Sequence, residues 1–313
     1  MKMKKNSFMQ GAFIATFGIV LCKILGVLYV IPFYAIIGEQ GGALYGYAYN
    51  IYSIFLSISQ AGIPLAMSKV VSEYYTLGYY NTKERAFKIG KRFLFIVGCI
   101  CFLVLFIFAE DIGYLIIGNI EGGNTKEDVA FVIRLISTAI LVIPILSVSR
   151  GYFQGHRFIT PTTISQILEQ LTRVIIIVVG SFLMYKVFHF SLKATVGCAV
   201  FAATFGGVVS YLYLLYKEKQ NKKELLKKEI KVKEPKISDK AIMEKILLYA
   251  VPFIMRDLFR SLYNSVDVVT LVKTLVNDIG YSTADAESIM SIISTWGLKI
   301  NMQFGNAYAT YAV

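Results

Sequence analysis

Residues 44–71 read LYGYAYNIYSIFLSISQAGIPLAMSKVV, and this stretch decides the fold class of the chain. It is apolar over more than the about 20 residues that a helix needs to cross a bilayer. On a helical wheel, Asn50, Ser53, Ser57 and Ser68 fall within roughly 60° of one another. Unpaired polar groups are costly in hydrocarbon, so such a stripe needs a protein neighbour or a water-filled cavity. The stretch therefore predicts one helix of a membrane bundle with a polar interior.

The composition of the whole chain has the same character. Of its 313 residues, 56% are hydrophobic and 17% are charged, with a mean hydropathy of +0.60. These values are too apolar for an ordinary soluble domain. The net charge of +12 would favour nucleic acid as the partner of a soluble protein, but here the basic residues lie in short segments between apolar runs. We therefore predict a multi-pass membrane protein with membrane lipids, and no nucleic acid, as partners.

The apolar runs predict eight transmembrane helices. These cover residues 8–37, 44–71, 91–117, 129–149, 161–187, 192–216, 245–274 and 287–313. We expect an all-α bundle with a six-helix lobe in residues 1–216, a basic linker in 217–244 and the first two helices of a second lobe in 245–313. Because Val313 falls in the middle of the eighth predicted span, the second lobe is expected to be incomplete.

The distribution of basic residues predicts the orientation. Segments on the N-terminal side of the membrane hold 22 of the 32 Lys and Arg residues, with Lys83 and Arg150 among them, and the opposite segments hold four. The positive-inside rule then places the N-terminus and the linker in the cytoplasm.

Six basic residues remain within or near the predicted spans, and these are where function is sought. They are Lys23, Arg134, Arg173, Arg256, Arg260 and Lys299. Ionisable groups at membrane depth are costly and usually face a bundle interior or an aqueous path. Arg134 lies near a helix end and is expected to reach the outer surface.

The seventh predicted span carries the densest polar face. Arg256, Arg260, Tyr263 and Asp267 project within roughly 60° of one another. Two cations one turn apart repel, so we expect an anion or Asp267 to offset them. Lys299 lies on a similar polar face of the eighth span.

In the fifth span, Glu169 and Arg173 have the i, i+4 spacing of an ion pair. This pair either fixes helix packing or lines a cavity, and the sequence leaves both readings open. Lys23 lies in the middle of the first span, where a cavity position is favoured. We thus predict a cavity lined by cations from several helices.

The sequence does not favour an enzyme. The four cysteines lie inside apolar runs without metal-ligand spacing, and His156 and His189 lie in predicted loops as ordinary interface residues. The chain has no phosphate-binding glycine loop and no nucleophile elbow. We predict neither a cofactor nor a metal site.

Three blocks of sequence resemble a known family. They are CKILGVLYVIPFYAIIGEQGGALYGYAYNIYSIFLSISQAGIPLAMSKVVSEY at 22–74, GYFQGHRFITPTTISQILEQLTRV at 151–174 and AVPFIMRDLFRSLYNSVDVVTL at 250–271. The chain resembles the stage V sporulation protein B-like branch of the polysaccharide flippase family. That branch belongs to the multidrug/oligosaccharidyl-lipid/polysaccharide exporter superfamily and is related to the lipid II flippase.

The resemblance implies two six-helix bundles around a V-shaped cavity and alternating access that moves an undecaprenyl-pyrophosphate-linked sugar outward. It implies that Lys23 lines this cavity, because a basic residue occupies the matching place in the lipid II flippase. Two further basic positions of that relative fall near Tyr29 and near Leu56 or Ser57, where this chain has no basic residue.

Three functional hypotheses follow. The first is a flippase for a lipid-linked glycan, in which Lys23, Arg256, Arg260 and Lys299 hold the pyrophosphate. The second is a cation-coupled exporter of organic cations, which requires open carboxylates, whereas Glu169 and Asp267 are each expected to have an Arg partner. The third is a non-transporting scaffold in envelope or spore assembly. The oligomeric state is left open.

Overall fold

The computed structural model of the protein describes residues 5–60, 62–118, 123–226 and 232–293. All regular secondary structure in these ranges is helical, which confirms the predicted all-α class. The helices are α1 (Phe8–Leu28), α2 (Val30–Gln60), α3 (Ile63–Thr76), α4 (Tyr80–Ile107), α5 (Ala109–Ile117), α6 (Lys126–Ser137), α7 (Ala139–Gly155), α8 (Ile159–Ile175), α9 (Leu192–Gln220), α10 (Lys222–Leu225), α11 (Asp239–Asn277) and α12 (Thr283–Ser291). Two π-helical turns, Ile176–Gly180 and Leu183–Val187, continue α8.

Five helical stretches in the described ranges are long and apolar enough to cross a membrane. They are Phe8–Leu28, Tyr80–Ile107, Lys126–Gly155, Ile159–Val187 and Leu192–Gln220. They overlap the first, third, fourth, fifth and sixth predicted spans. The seventh predicted span lies within α11, and most of the eighth lies outside the described residues.

The second predicted span is not one continuous helix. Gly38, with φ 66° and ψ −167°, bends the chain between the first and second spans, in a conformation that glycine adopts at little cost. A further break separates Gln60 from Ile63. Pro64 follows this break in the first turn of α3, where its missing N–H costs no helical hydrogen bond. The predicted polar stripe from Asn50 to Ser68 is therefore divided between two helices, which corrects the single-wheel reading.

Helix α11 is bound to the preceding helices at both of its ends. Near the N-terminal side of the membrane, the Nζ of Lys245 donates to Glu73 Oε1 at 2.5 Å, and the Nζ of Lys69 lies 3.9 Å from the centre of the Tyr249 ring. At the other end, the Nζ of Lys273 donates to the carbonyl of Leu115 at 2.6 Å. The start of the predicted second lobe is thus fixed to the first by polar contacts at both membrane surfaces.

Helix α12 is held by a buried carboxylate on the side opposite the N-terminus. Glu287 accepts hydrogen bonds from the backbone N–H and the Nδ2 of Asn124, at 3.1 and 3.0 Å. Asn124 Nδ2 also donates to the carbonyl of Gln40 at 3.0 Å. These bonds join α12, α2 and the segment before α6.

On the N-terminal side, a buried lysine anchors the segment that follows α9. The side chain of Lys83 is fully buried, and its Nζ lies 2.8 Å from His156 Nε2 and 2.8 Å from the carbonyl of Leu225. An ammonium group only donates, so Nε2 accepts, and Nδ1–H donates to the carbonyl of Tyr152 at 2.8 Å. Lys83 is thus part of the interior, not only a topology signal, and His156 is buried, which corrects its assignment to an ordinary interface.

A second contact fixes the end of the same segment. The carboxylate of Glu234 accepts from the backbone N–H groups of Asn81 and Thr82, at 2.9 and 3.0 Å. These N–H groups lie in the first turn of α4, where a helix lacks internal acceptors and where the helix dipole favours a negative charge. The residues directly before α11 are therefore docked on the start of α4 through Glu234.

The buried histidine gives a testable pH dependence. Burial, and then the positive charge of Lys83, lower the pKa of His156 to about 3. The unfolded chain takes up a proton near pH 6.5 and the folded protein does not, so stability is complete above pH 6.5 and falls as the pH decreases below it. The loss is at most about 1.4 kcal/mol per pH unit. We expect a lower melting temperature at pH 5 than at pH 7.5.

The variant His156→Asn should remove most of this difference between pH 5 and pH 7.5. His189→Asn is the matched control, because His189 is exposed on the opposite side and should leave the pH dependence unchanged. Equal pH dependence in the two variants would contradict the assignment.

Candidate functional site

The best-defined polar site among the described residues is a carboxylate of α8 that is shared by two arginines, one on α7 and one on α8. Arg150 Nη2 donates to Glu169 Oε2 at 2.8 Å, and Arg173 Nη2 donates to Glu169 Oε1 at 2.7 Å. The side chain of Glu169 is 9% exposed and that of Arg150 is 8% exposed. The predicted pair of Glu169 and Arg173 is present, and Arg150 adds a second cation to it.

Two serines complete the environment of Arg150. Its Nε donates to Ser165 Oγ at 2.8 Å and its Nη2 to Ser210 Oγ at 2.9 Å. Arg150 lies on α7, Ser165 and Glu169 lie on α8, and Ser210 lies on α9. One hydrogen-bond network therefore joins three helices. At Gly206 of α9, an added Cβ would lie 2.7 Å from the carbonyl oxygen of Glu169, so only glycine permits this close approach of α8 and α9.

Arg173 is less completely satisfied than Arg150. Its Nε is buried and has no hydrogen-bond partner in the described part of the chain, and its side chain is 14% exposed. The hydroxyls of Tyr45, Tyr49 and Tyr52 on α2 lie within electrostatic range of its guanidinium. Two arginines and one carboxylate have a net charge of one positive unit. Arg173 places its guanidinium, and so part of this charge, near α2.

The tyrosines form an aromatic row along α2. The rings of Tyr45 and Tyr49 are stacked with centroids 5.9 Å apart, and Tyr52 meets Tyr49 edge-on at 6.0 Å. Phe33 extends the row at 5.1 Å from Tyr45. Tyr52 is fully buried, and its hydroxyl has no hydrogen-bond partner among the described residues. Phe33 and Tyr45 are buried as well, so Tyr49 is the partly exposed ring of this row. An aromatic face beside a cation can stack against a sugar ring while the cation attracts a negative group.

Lys23 lies on α1, close to this cluster. It follows Cys22, whose thiol lies within electrostatic range of Glu169, Arg150 and Arg173. The side chain of Lys23 is half-buried. Helix α1 packs on α8, where Gly18 meets Thr163. Lys23 and Arg173 thus belong to neighbouring helices of one unit.

The cations of α11 are placed differently. Arg256, Arg260 and Asp267 are all exposed in the described structure. Arg256 Nε donates to Oδ1 of Asp257 at 2.8 Å, so the adjacent acid, not Asp267, is its partner. The predicted offsetting charge was an anion or Asp267, and Asp257 was not part of that prediction. The buried face of α11 instead carries Ser265, which is 8% exposed.

The predicted cavity residues are therefore only partly brought together. Glu169 and Arg173 are joined, with Lys23 on a neighbouring helix, while Arg256, Arg260 and Asp267 lie on the exposed face of α11. Lys299 lies outside the described residues. A single chamber lined by all of these residues remains a prediction.

The sequence did not predict that Arg150 belongs to this site. Arg150 was assigned to a loop because the fourth span was predicted to end at residue 149, whereas α7 continues to Gly155. The available signal was Ser165 in the next helix, one turn before Glu169 on the same face. Arg134 behaves as predicted, since its Nη2 donates to the exposed Glu110 at 2.9 Å.

Comparison with solved structures shows the fold. An inward-facing multidrug resistance MATE family transporter of the MOP superfamily matches with a TM-score of 0.64 and 14% identity, over 92% of this chain and 63% of that one. A MOP superfamily transporter from Pyrococcus furiosus matches with a TM-score of 0.60 and 14% identity, over 91% and 62%. The chain thus has the helical architecture of this class of membrane transporters, which confirms the predicted superfamily fold.

The sequence comparisons are more specific. The family described as polysaccharide biosynthesis protein matches residues 8–294, and this chain belongs to that family. The lipid II flippase MurJ of Bacillus subtilis is 36% identical over 95% of this chain and 55% of its own length. The stage V sporulation protein B of Bacillus subtilis is 28% identical over 70% of this chain and 40% of its own length.

This chain spans about half the length of the curated relatives that it matches. The relatives and the fold are those of transporters, which agrees with the prediction that the protein is not an enzyme.

The shared carboxylate gives a prediction about stability. The variant Glu169→Gln leaves two buried arginines without their anion, and breaking a buried ion pair in this way costs about 3–5 kcal/mol. We expect a marked fall in the melting temperature of the detergent-purified protein. Arg173→Gln should cost much less, because Glu169 keeps Arg150 as its partner. Equal melting temperatures for the two variants would show that Arg150 does not stabilise the carboxylate.

Proposed function

We propose that this protein is a flippase that moves a lipid-linked glycan across the cytoplasmic membrane. The observation that carries the proposal is the family match over residues 8–294, together with 36% identity to a lipid II flippase over 95% of the chain. The substrate we propose is a sugar on undecaprenyl pyrophosphate or a related polyprenyl anion.

The charge of the first unit supports an anionic substrate. Arg150 and Arg173 share one carboxylate, so this cluster carries one positive charge in excess. Charges at membrane depth are costly unless they are compensated, so an excess of cations favours an anion that arrives with the substrate. A guanidinium forms paired, charge-assisted hydrogen bonds with phosphate oxygens, which suits a pyrophosphate.

We assign the roles as follows. Glu169 and Arg150 hold α7, α8 and α9 together, and Arg173 presents positive charge towards the tyrosine row of α2. Lys23, Arg256, Arg260 and Lys299 contact the pyrophosphate during transport, and Tyr49, the partly exposed ring of the row, contacts the sugar. Asp267 sets the charge of the same face of α11.

The proposal includes the topology. Residues 1–216 form the first lobe, residues 217–244 form the linker, and residues 245–313 begin the second lobe. The N-terminus and the linker lie in the cytoplasm, as the excess of basic residues on that side supports.

The alternative of a cation-coupled exporter has less support. The likeness to multidrug transporters is at 14% identity and speaks for the fold alone. A coupling cation needs an available carboxylate, whereas both oxygens of Glu169 accept from arginines.

The test is a flipping assay in proteoliposomes with a fluorescent undecaprenyl-pyrophosphate-linked sugar. The variant Arg256→Gln/Arg260→Gln should lower the rate at least about tenfold, because each lost charge-assisted hydrogen bond is worth about 1.5–3 kcal/mol. Lys23→Gln should also lower it about tenfold. The rate of loss of accessible label from the outer leaflet is the measurement.

Arg134→Gln is the control, because this cation is bound to Glu110 at the surface, and the rate should be unchanged. Unaltered flipping in the Arg256→Gln/Arg260→Gln variant would reject the assigned sites. A folded protein that flips no lipid-linked sugar, and instead exports a fluorescent cation or only binds envelope proteins, would reject the function itself.

A further inference from the structure

A separate groove lies between α4 and α11 at the N-terminal side of the membrane. It encloses about 460 Å³, which is within the about 300–1,000 Å³ that small-molecule sites occupy. Its residues are not among those assigned to glycan transport above. Three of the residues that line it are basic: Arg85, Lys88 and Arg92.

The three cations share one face of α4, since their spacing of three and four residues returns to the same side of a helix. Arg85 is bound to Asp239 at the start of α11. Lys88 and Arg92 are exposed, and neither has a hydrogen bond or an ion pair in the described part of the chain. The groove therefore offers two cations that form no hydrogen bond or ion pair with the residues that the structure describes.

Apolar side chains form most of the remaining wall of the groove. Ile89, Phe93 and Ile96 of α4 and Met243 of α11 line it. Beyond them, Ile100 is 56% exposed on the lipid-facing part of α4. Arg92 lies one turn above Ile96, about 6 Å along the helix axis. The groove thus changes from cationic to apolar over the distance that separates a lipid headgroup from its acyl chains.

We propose that this groove binds an anionic phospholipid of the N-terminal-side leaflet, with its phosphodiester on Lys88 and Arg92 and the start of an acyl chain along Phe93 and Ile96. The charge of the site matches a phosphodiester, and the apolar wall matches hydrocarbon. A soluble phosphate ion would leave that wall without a partner.

The groove also distinguishes this site from a general excess of basic residues. Lys222 and Lys223 lie on the same side of the membrane and are exposed on α10, and they are not part of the groove. Such lysines contribute to the orientation of the protein and attract anionic lipids only diffusely. A lipid in the groove would touch both α4 and α11 and so bridge the two units beside the contact of Arg85 with Asp239.

The experiment is native mass spectrometry of the detergent-purified protein with equal amounts of phosphatidylglycerol and phosphatidylcholine of the same acyl chains. We expect phosphatidylglycerol to be retained at least about tenfold better, as the attraction of two cations predicts. In Lys88→Gln/Arg92→Gln this preference should fall to within about twofold. Lys222→Gln/Lys223→Gln removes the same charge outside the groove and should keep the preference.

A second measurement does not depend on the ionisation conditions of the mass spectrometer. The melting temperature in phosphatidylglycerol vesicles should exceed that in phosphatidylcholine vesicles, and Lys88→Gln/Arg92→Gln should abolish this difference without lowering the value in phosphatidylcholine. If inorganic phosphate alone stabilises the protein as much as phosphatidylglycerol, the site binds soluble anions and the proposal is wrong. Equal lipid preference in the two double variants also overturns it. Neither result depends on whether the protein flips a glycan.

Discussion

The shared carboxylate of Glu169 is the interaction on which the interior of the first unit depends. Hydrocarbon surrounds the helices, so their association gains little from burying apolar surface and relies on packing and hydrogen bonds. Glu169 supplies both, because each of its oxygens accepts from an arginine and its backbone meets Gly206. The same cluster sets the electrostatics of the site, since it leaves one positive charge in excess beside the tyrosines of α2.

Helix α11 packs on α2 and α3 and is joined to the preceding helices by polar contacts. Lys245 and Lys273 tie α11 to the first unit near both membrane surfaces, and Glu287 fastens α12. Between these ends the contact includes a bond from Ser261 Oγ to the carbonyl of Ser53, at 3.4 Å. The polar contacts of α11 therefore lie mostly, but not entirely, towards its two ends.

The sequence predicted what depends on local pattern. The length of the apolar runs predicted eight spans, five of which overlap helical stretches long and apolar enough to cross a membrane, and the i, i+4 spacing predicted the pair of Glu169 and Arg173. It did not predict that Arg150 joins this pair, because a loop boundary misplaced by a few residues turns a buried arginine into a topology signal. It also assigned Lys83 and His156 to the surface, since nothing local shows that Leu225, 142 residues later, covers Lys83.

By itself, then, the sequence determined the membrane environment, the helical class and the family, because hydropathy and residue identity act along the chain. The tertiary structure decided which charges compensate one another. Arg256 forms an ion pair with Asp257 and not with Asp267. Lys88 and Arg92 form no ion pair with the described residues. Helix spacing fixes only the face on which a side chain lies, whereas the partner opposite that face depends on how distant segments pack.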